Sequence, residues 1–502
     1  MAVLKHASFG DLTGVSVGGV TQYLGIKYAS LKNRLSAAEL YDGTPGSSID
    51  ATKLGYLSFP SSTFWDMLIP DRRPTAPGPP IGYIDCLNLN ISVLELGNGV
   101  AKNLPVFAFF HGGGFHLGSN AWPQYDLVKF VKLSAEKGLP VIGVGVNYRL
   151  AVNGFLTSGE LVKAGYKPNN GLWDQKVALS WIKKHISGFG GDGSNITWIG
   201  ESAGAISATF HLQSKEPLFK RFIAMSGTSW MLKALPPLVT EFAYNSVLEA
   251  LGIQELGPEE RIEKFLEIPM GGVVGKLGPQ IPLMPSIDGD IILNRLSFEE
   301  AGSKASAALP GKTSVELLIG DVEFDGSIFS FMLHPRKAGC RAAFTTSIQK
   351  SLPDAGDSVL QAYNIRSDIS DDEAFLGILN FANDIAFHAP TLTFAKGWLG
   401  KKFAYYFDEP NPWDGPWKGG RATHVLDVAY IFQNYNEFLD DEQKVVAERF
   451  AESLLCLLMV RCRGLNMMRG RQGDRAGKEL PFLARENATS PANAILRNRI
   501  AL

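Results

Sequence analysis

Runs of uninterrupted apolar residues alternate along this chain with stretches of mixed polarity. Residues 104–110 (Leu-Pro-Val-Phe-Ala-Phe-Phe) and 140–147 (Pro-Val-Ile-Gly-Val-Gly-Val-Asn) are nearly continuous hydrophobic segments. They predict strands covered on both faces, as in a parallel sheet between helices. Residues 195–199, 219–225, 315–319 and 403–407 read as further strands, with a helix over 174–185. Upstream, residues 18–29 mix Val20, Tyr23, Ile26 and Tyr28 with glycine and threonine, the mark of short antiparallel strands. Helical segments at 241–251 and 259–266 predict an excursion over the sheet between about residues 230 and 310. A C-terminal helical portion is expected over 440–502, opening with a helix from 441 to about 460. Five prolines between 70 and 80 predict an irregular loop. No repeat or free linker interrupts the pattern, so residues 1–502 read as one α/β domain: a large, mainly parallel mixed sheet flanked by helices, with short N-terminal strands and helical insertions.

One segment gives this scaffold a chemistry. Ile199-Gly-Glu-Ser-Ala-Gly204 holds a G-x-S-x-G pattern between the 195–199 strand and a helical stretch at 205–213. A serine on a sharp strand-to-helix turn is a nucleophile elbow, and Gly200 and Gly204 permit the close backbone approach it needs. Ser202 then requires a base, and a carboxylate to orient that base. Among eight histidines, His424 lies in a glycine-rich loop that follows the 403–407 strand and precedes an apolar helix. It is the favoured base; His388, at a predicted helix end, reads as a residue that lines or supports the pocket. Asp321, Glu323 and Asp325 share the loop after the 315–319 strand. Asp325 is favoured as the acid because Gly326 permits a tight turn, with Glu323 as its competitor. His111-Gly-Gly-Gly-Phe-His116 follows the 104–110 strand and offers unobstructed N–H groups. Gly113, Gly114 and Ala203 are the expected oxyanion donors. Glu201 reads equally as a group that tunes the electrostatics around His424 or orients a water, and as a buried hydrogen-bond acceptor. Arg149 and Asp174 read as a structural pair tying a loop to a helix.

The order Ser202, Asp325, His424 is that of the α/β-hydrolases. With these residues placed, the chain resembles the type-B carboxylesterase, or cholinesterase-like, family. The resemblance rests on residues 189–204 around Ser202, on His111-Gly-Gly-Gly-Phe115, and on Asn147-Tyr-Arg-Leu150 with Gly154-Phe155. Asn170-Gly-Leu-Trp-Asp-Gln175, Asp325-Gly326, and His424 with Tyr430-Ile-Phe-Gln-Asn434 extend it over most of the chain. It implies an α/β-hydrolase that cleaves carboxylic esters through an acyl-serine, with the roles assigned above. Its acid position, usually glutamate, falls on Asp325, one methylene shorter. Cys86 matches a cysteine of the family's first disulfide, but no cysteine precedes it here, so the loop near 63–80 is expected to be a more mobile gorge wall. Asn153 and Ala205 stand where glycines are common.

Composition narrows the partners. A formal charge of −2 supplies no global basic surface for nucleic acid. The basic cluster at 461–475 is interrupted by acid and reads as a solvated loop. No apolar run approaches the ~18 residues needed to span a bilayer. H-E-x-x-H and C-x-x-C patterns are absent, so neither metal nor cofactor is expected. The N-terminus lacks the apolar core of a secretion signal, and four cysteines do not suggest a disulfide framework. The expectation is a cytoplasmic, microbial or fungal-type enzyme acting on a small ester; thirty phenylalanines favour an apolar or aromatic one. Acyltransferase, lactonase and thioesterase chemistry would use the same acyl-serine. A non-catalytic binding protein on this scaffold would be expected to have lost the serine, histidine or glycines.

Overall fold

The computed structural model describes residues 1–58, 79–95, 102–214, 218–278, 280–415, 417 and 419–459. Most of the 63–80 loop, the 461–475 cluster and the C-terminal portion beyond 459 lie outside the described residues. The strands are β1 (Ala2–His6), β2 (Gly10–Val17), β3 (Val20–Lys27), β4 (Ala29–Ser30), β5 (Glu39–Leu40), β6 (Ser48–Asp50) and β7 (Asn88–Leu94). They continue with β8 (Leu104–Phe110), β9 (Ile142–Val146), β10 (Gly191–Glu201), β11 (Arg221–Met225), β12 (Glu316–Val322) and β13 (Lys402–Phe407). The main sheet runs β1-β2-β3-β7-β9-β8-β10-β11-β12-β13, with β6 beside β2, while β4 and β5 form a separate pair. Pairing is antiparallel from β1 to β9 and parallel from β9 through β13.

The apolar runs are buried on both faces because each strand feeds two cores. On β8, Val106, Ala108 and Phe110 pack with Trp181 and Trp198 beneath the helices Asn170–His185 and Ala203–His211. Phe107 and Phe109 point the other way, onto Phe130, Phe432, Phe450 and Leu454. Two tryptophans and a wall of phenylalanines thus fix the sheet between its helical layers.

Residues 230–310 carry the helices Pro237–Leu251, Pro258–Glu267, Met270–Val274 and Phe298–Gly302. The first three have their own core, which includes Tyr244, Val247, Phe265 and Val273. A second group, which the hydrophobic pattern did not announce, fills residues 327–397 between β12 and β13. Burial is uneven among its helices: Cys340–Ser351 buries only Ile348, whereas Asp371–Asn383 buries Ala374, Phe375, Ile378 and Leu379. β12 also extends beyond the expected strand, so Asp321 belongs to the strand and only Glu323 and Asp325 to the loop. Among the described residues no helix is long and apolar enough to cross a membrane.

Candidate active site

β10 ends at Glu201, and Ser202 turns the chain directly into the helix Ala203–His211. The Ser202 backbone angles, φ 51° and ψ −118°, are ones that residues with side chains rarely adopt. Such strain costs about 1–3 kcal/mol and survives only where the surroundings impose it. Here backbone imposes it. A Cβ on Gly204 would fall 1.9 Å from the Phe110 carbonyl oxygen, and one on Gly200 would fall 2.4 Å from the Gly204 carbonyl carbon. The Ser202 N–H donates to Met225 O at 2.9 Å, tying the elbow to β11. The helix that follows directs the positive end of its dipole at the serine.

The loop after β8 lies flat against this elbow. A Cβ on Gly112 would stand 2.2 Å from Glu201 Oε2 and 2.9 Å from Ser202 Cβ, a constraint the sequence pattern signals only through its run of glycines. Gly113 and Gly114 take φ values of 105° and 61°. Around Gly114 the space is open. No acceptor among the described residues takes the N–H of Gly113, Gly114 or Ala203. His111 stacks on Tyr148, donates from Nδ1–H to Gly112 O at 2.8 Å, and is held neutral by burial, which lowers its pKa to about 4. It is a structural member of the loop.

Opposite lies His424, buried just ahead of the helix Leu426–Phe432. Its Nδ1–H donates to Asp325 Oδ1 at 2.6 Å, and Asp325 Oδ2 accepts the Val322 N–H at 3.0 Å. The carboxylate beside the imidazole is therefore Asp325. Its loop approaches closely enough for the shorter side chain to reach. Glu323 turns outward, 3.4 Å from Arg421 Nε, and Asp321 is taken by His388. His424 Nε2 is buried without a directed hydrogen bond, 3.2 Å from Glu201 Oε1. Burial opposes an imidazolium, but the hydrogen bond to Asp325 and the nearby carboxyls of Asp325 and Glu201 outweigh it and raise the His424 pKa. Burial in turn raises the pKa values of Glu201 and Asp325.

Three neighbours escaped the sequence reading. The Tyr125 hydroxyl donates to Glu201, adding a partner for that buried carboxyl. Asp427 accepts from the Tyr405 hydroxyl at 2.6 Å; burial, reinforced by Asp325 and Glu201, raises its pKa to about 7. Its only signal was its place one helical turn after His424. The Phe387 ring lies 5.3 Å from the His424 ring and forms an apolar wall. Arg149 and Asp174 do pair, through two bonds of 2.8 and 2.7 Å, both side chains fully buried.

A parallel sheet whose serine occupies a strained strand-to-helix elbow, beneath a glycine loop, defines an α/β-hydrolase. The pattern of the Carboxylesterase family matches residues 3–455, and the chain belongs to that family as a serine carboxylesterase. It is 27% identical to Lipase 3 of Yarrowia lipolytica over 469 residues, 87% of this chain and 84% of that protein. It is 40% identical to the para-nitrobenzyl esterase of Bacillus subtilis over 173 residues, 34% of this chain and 33% of that one. A solved PNB esterase superposes with a TM-score of 0.71 at 24% identity, covering 93% of this chain and 92% of its own.

Proposed function

We propose that this carboxylesterase cleaves small apolar or aromatic esters by two-step acyl transfer within one catalytic domain, with Ser202, His424 and Asp325 as its triad. His424 Nε2 takes the Ser202 proton as the oxygen attacks the ester carbonyl. The resulting oxyanion sits between the N–H groups of Gly113, Gly114 and Ala203, none of which is taken by another acceptor among the described residues. His424 then protonates the departing alcohol. In the second half it draws a proton from water, which attacks the acyl-serine, and returns that proton to Ser202. Asp325 holds Nδ1 protonated throughout, leaving Nε2 as the basic nitrogen. The observation that carries this reading is the 2.6 Å His424–Asp325 bond beside Glu201, the residue joined to the strained serine. The apolar preference is supported by Phe387 against the imidazole.

The test is Ser202→Ala with p-nitrophenyl esters, paired with an organophosphonate label located by mass spectrometry. Turnover should fall by about 10⁶-fold and the label should sit on Ser202. Retained turnover or a label elsewhere overturns the assignment. Supplying alcohols or amines in place of water reads out any acyl transfer.

A further inference from the structure

We propose that Asp321 and His388 form a second, non-catalytic His–Asp pair that docks the acid loop and sets the charge His424 experiences. This rests on the triad reading above. His388 Nδ1–H donates to Asp321 Oδ2 at 2.8 Å, and Asp321 is 1% exposed. Asp321 lies at the end of β12, four residues before Asp325, and the two carboxyls repel.

The pair belongs to a larger junction. His388 closes the π-helical turn Asp384–His388, in which the Ala389 N–H bonds back to Asp384 O. Such turns are frequent at functional sites. The flanking Asn383 accepts the Gly326 N–H at 2.9 Å, immediately after the acid. Phe387 meets the imidazole of His424, and His388 takes Asp321. Six successive residues thus touch the acid loop at Gly326, the end of β12 at Asp321 and the base at His424.

Three carboxyls and a tyrosine face His388. Asp321 approaches from β12, Asp325 from the acid loop and Asp384 from its own turn, while the Tyr406 ring of β13 lies 5.8 Å away. Asp384 already accepts from the Tyr363 hydroxyl at 2.8 Å. Burial opposes charge on His388, but Asp321, then Asp384 and Asp325, raise its pKa above the ordinary value. A cationic His388 cancels Asp321. Remove that cation and an uncompensated buried anion is left near the triad, so His424 holds its proton more tightly.

The experiment is the pH dependence of kcat/KM for a neutral p-nitrophenyl ester. In His388→Gln the acid limb should move to higher pH by about half a unit or more. His388→Lys should restore it, and so should the double variant Asp321→Asn/His388→Gln. A purely structural role would lower the rate without moving the limb. An unmoved limb in His388→Gln, or a double variant shifted as far as the single one, overturns the proposal. If His388→Gln does not fold, His388→Asn carries the same expectation. Phosphonate labelling of Ser202 in each variant keeps the two ideas separate: normal labelling with an unmoved limb defeats this inference alone, whereas a Ser202→Ala enzyme that still turns over defeats the triad itself.

Discussion

His424 sits between two carboxyls, and this governs the pH range in which it can work. In the proposed triad it must be neutral at Nε2 to take a proton, yet Asp325 and Glu201 together favour its charged form. Because the folded-state pKa is raised, kcat/KM should climb only at pH values above the ~6.5 of free imidazole. Glu201→Gln removes one of the two stabilising groups. The acid limb should then move to lower pH, a shift read directly from the rate profile. Asp325→Asn should reduce kcat about 10⁴-fold, through the wrong imidazole tautomer. Glu323→Gln should leave kcat close to wild type, since that carboxyl pairs with Arg421. A reversal of those two results would move the acid role to Glu323.

At the scale of elements, the elbow depends on backbone packed against backbone. Gly204→Ala would place a methyl on the Phe110 carbonyl, whose 1.9 Å approach leaves no room for it. Overpacking of this kind costs about 1–3 kcal/mol. The expected result is a lower denaturation midpoint, together with fewer titratable active sites per molecule as the glycine loop is pushed off Ser202. An unaltered active-site titre would mean that the loop can yield. The glycines, β8 and the helix after Ser202 were all legible in the sequence, because short-range sterics and continuous hydrophobicity are local properties. The helices of residues 327–397 were not. Ser327–Leu333 carries two phenylalanines and a methionine but buries only Ser327, so its apolar positions do not mark an inward face. The π-turn escaped for a related reason: its extra residue is defined by a backbone bond, not by composition.

Across the whole molecule, distant segments are joined by a few buried polar couples. Arg149 ties the chain after β9 to the helix Asn170–His185, and also donates to the carbonyls of Arg34 and Ser36 at 3.1 and 2.8 Å. Arg149→Met would leave Asp174 as an uncompensated buried charge, a loss of about 3–5 kcal/mol. Chemical denaturation should show that loss, and Arg149→Met/Asp174→Leu should recover part of it. Cys86, a free buried thiol whose pKa burial raises to about 12, adds no cross-link to this region. The sequence by itself determined the order of Ser202, Asp325 and His424 along the chain, the glycine run at 112–114 and the two-faced strands, because each is a short pattern with one steric or hydrophobic meaning. Only the tertiary structure decided which carboxyl meets which imidazole. Asp321, Glu323 and Asp325 alternate within five residues, and the extent of β12 and the turn after it send them to His388, Arg421 and His424. Partner choice among buried charges depends on desolvation and on strand order across about a hundred residues of chain, and neither is written in local spacing.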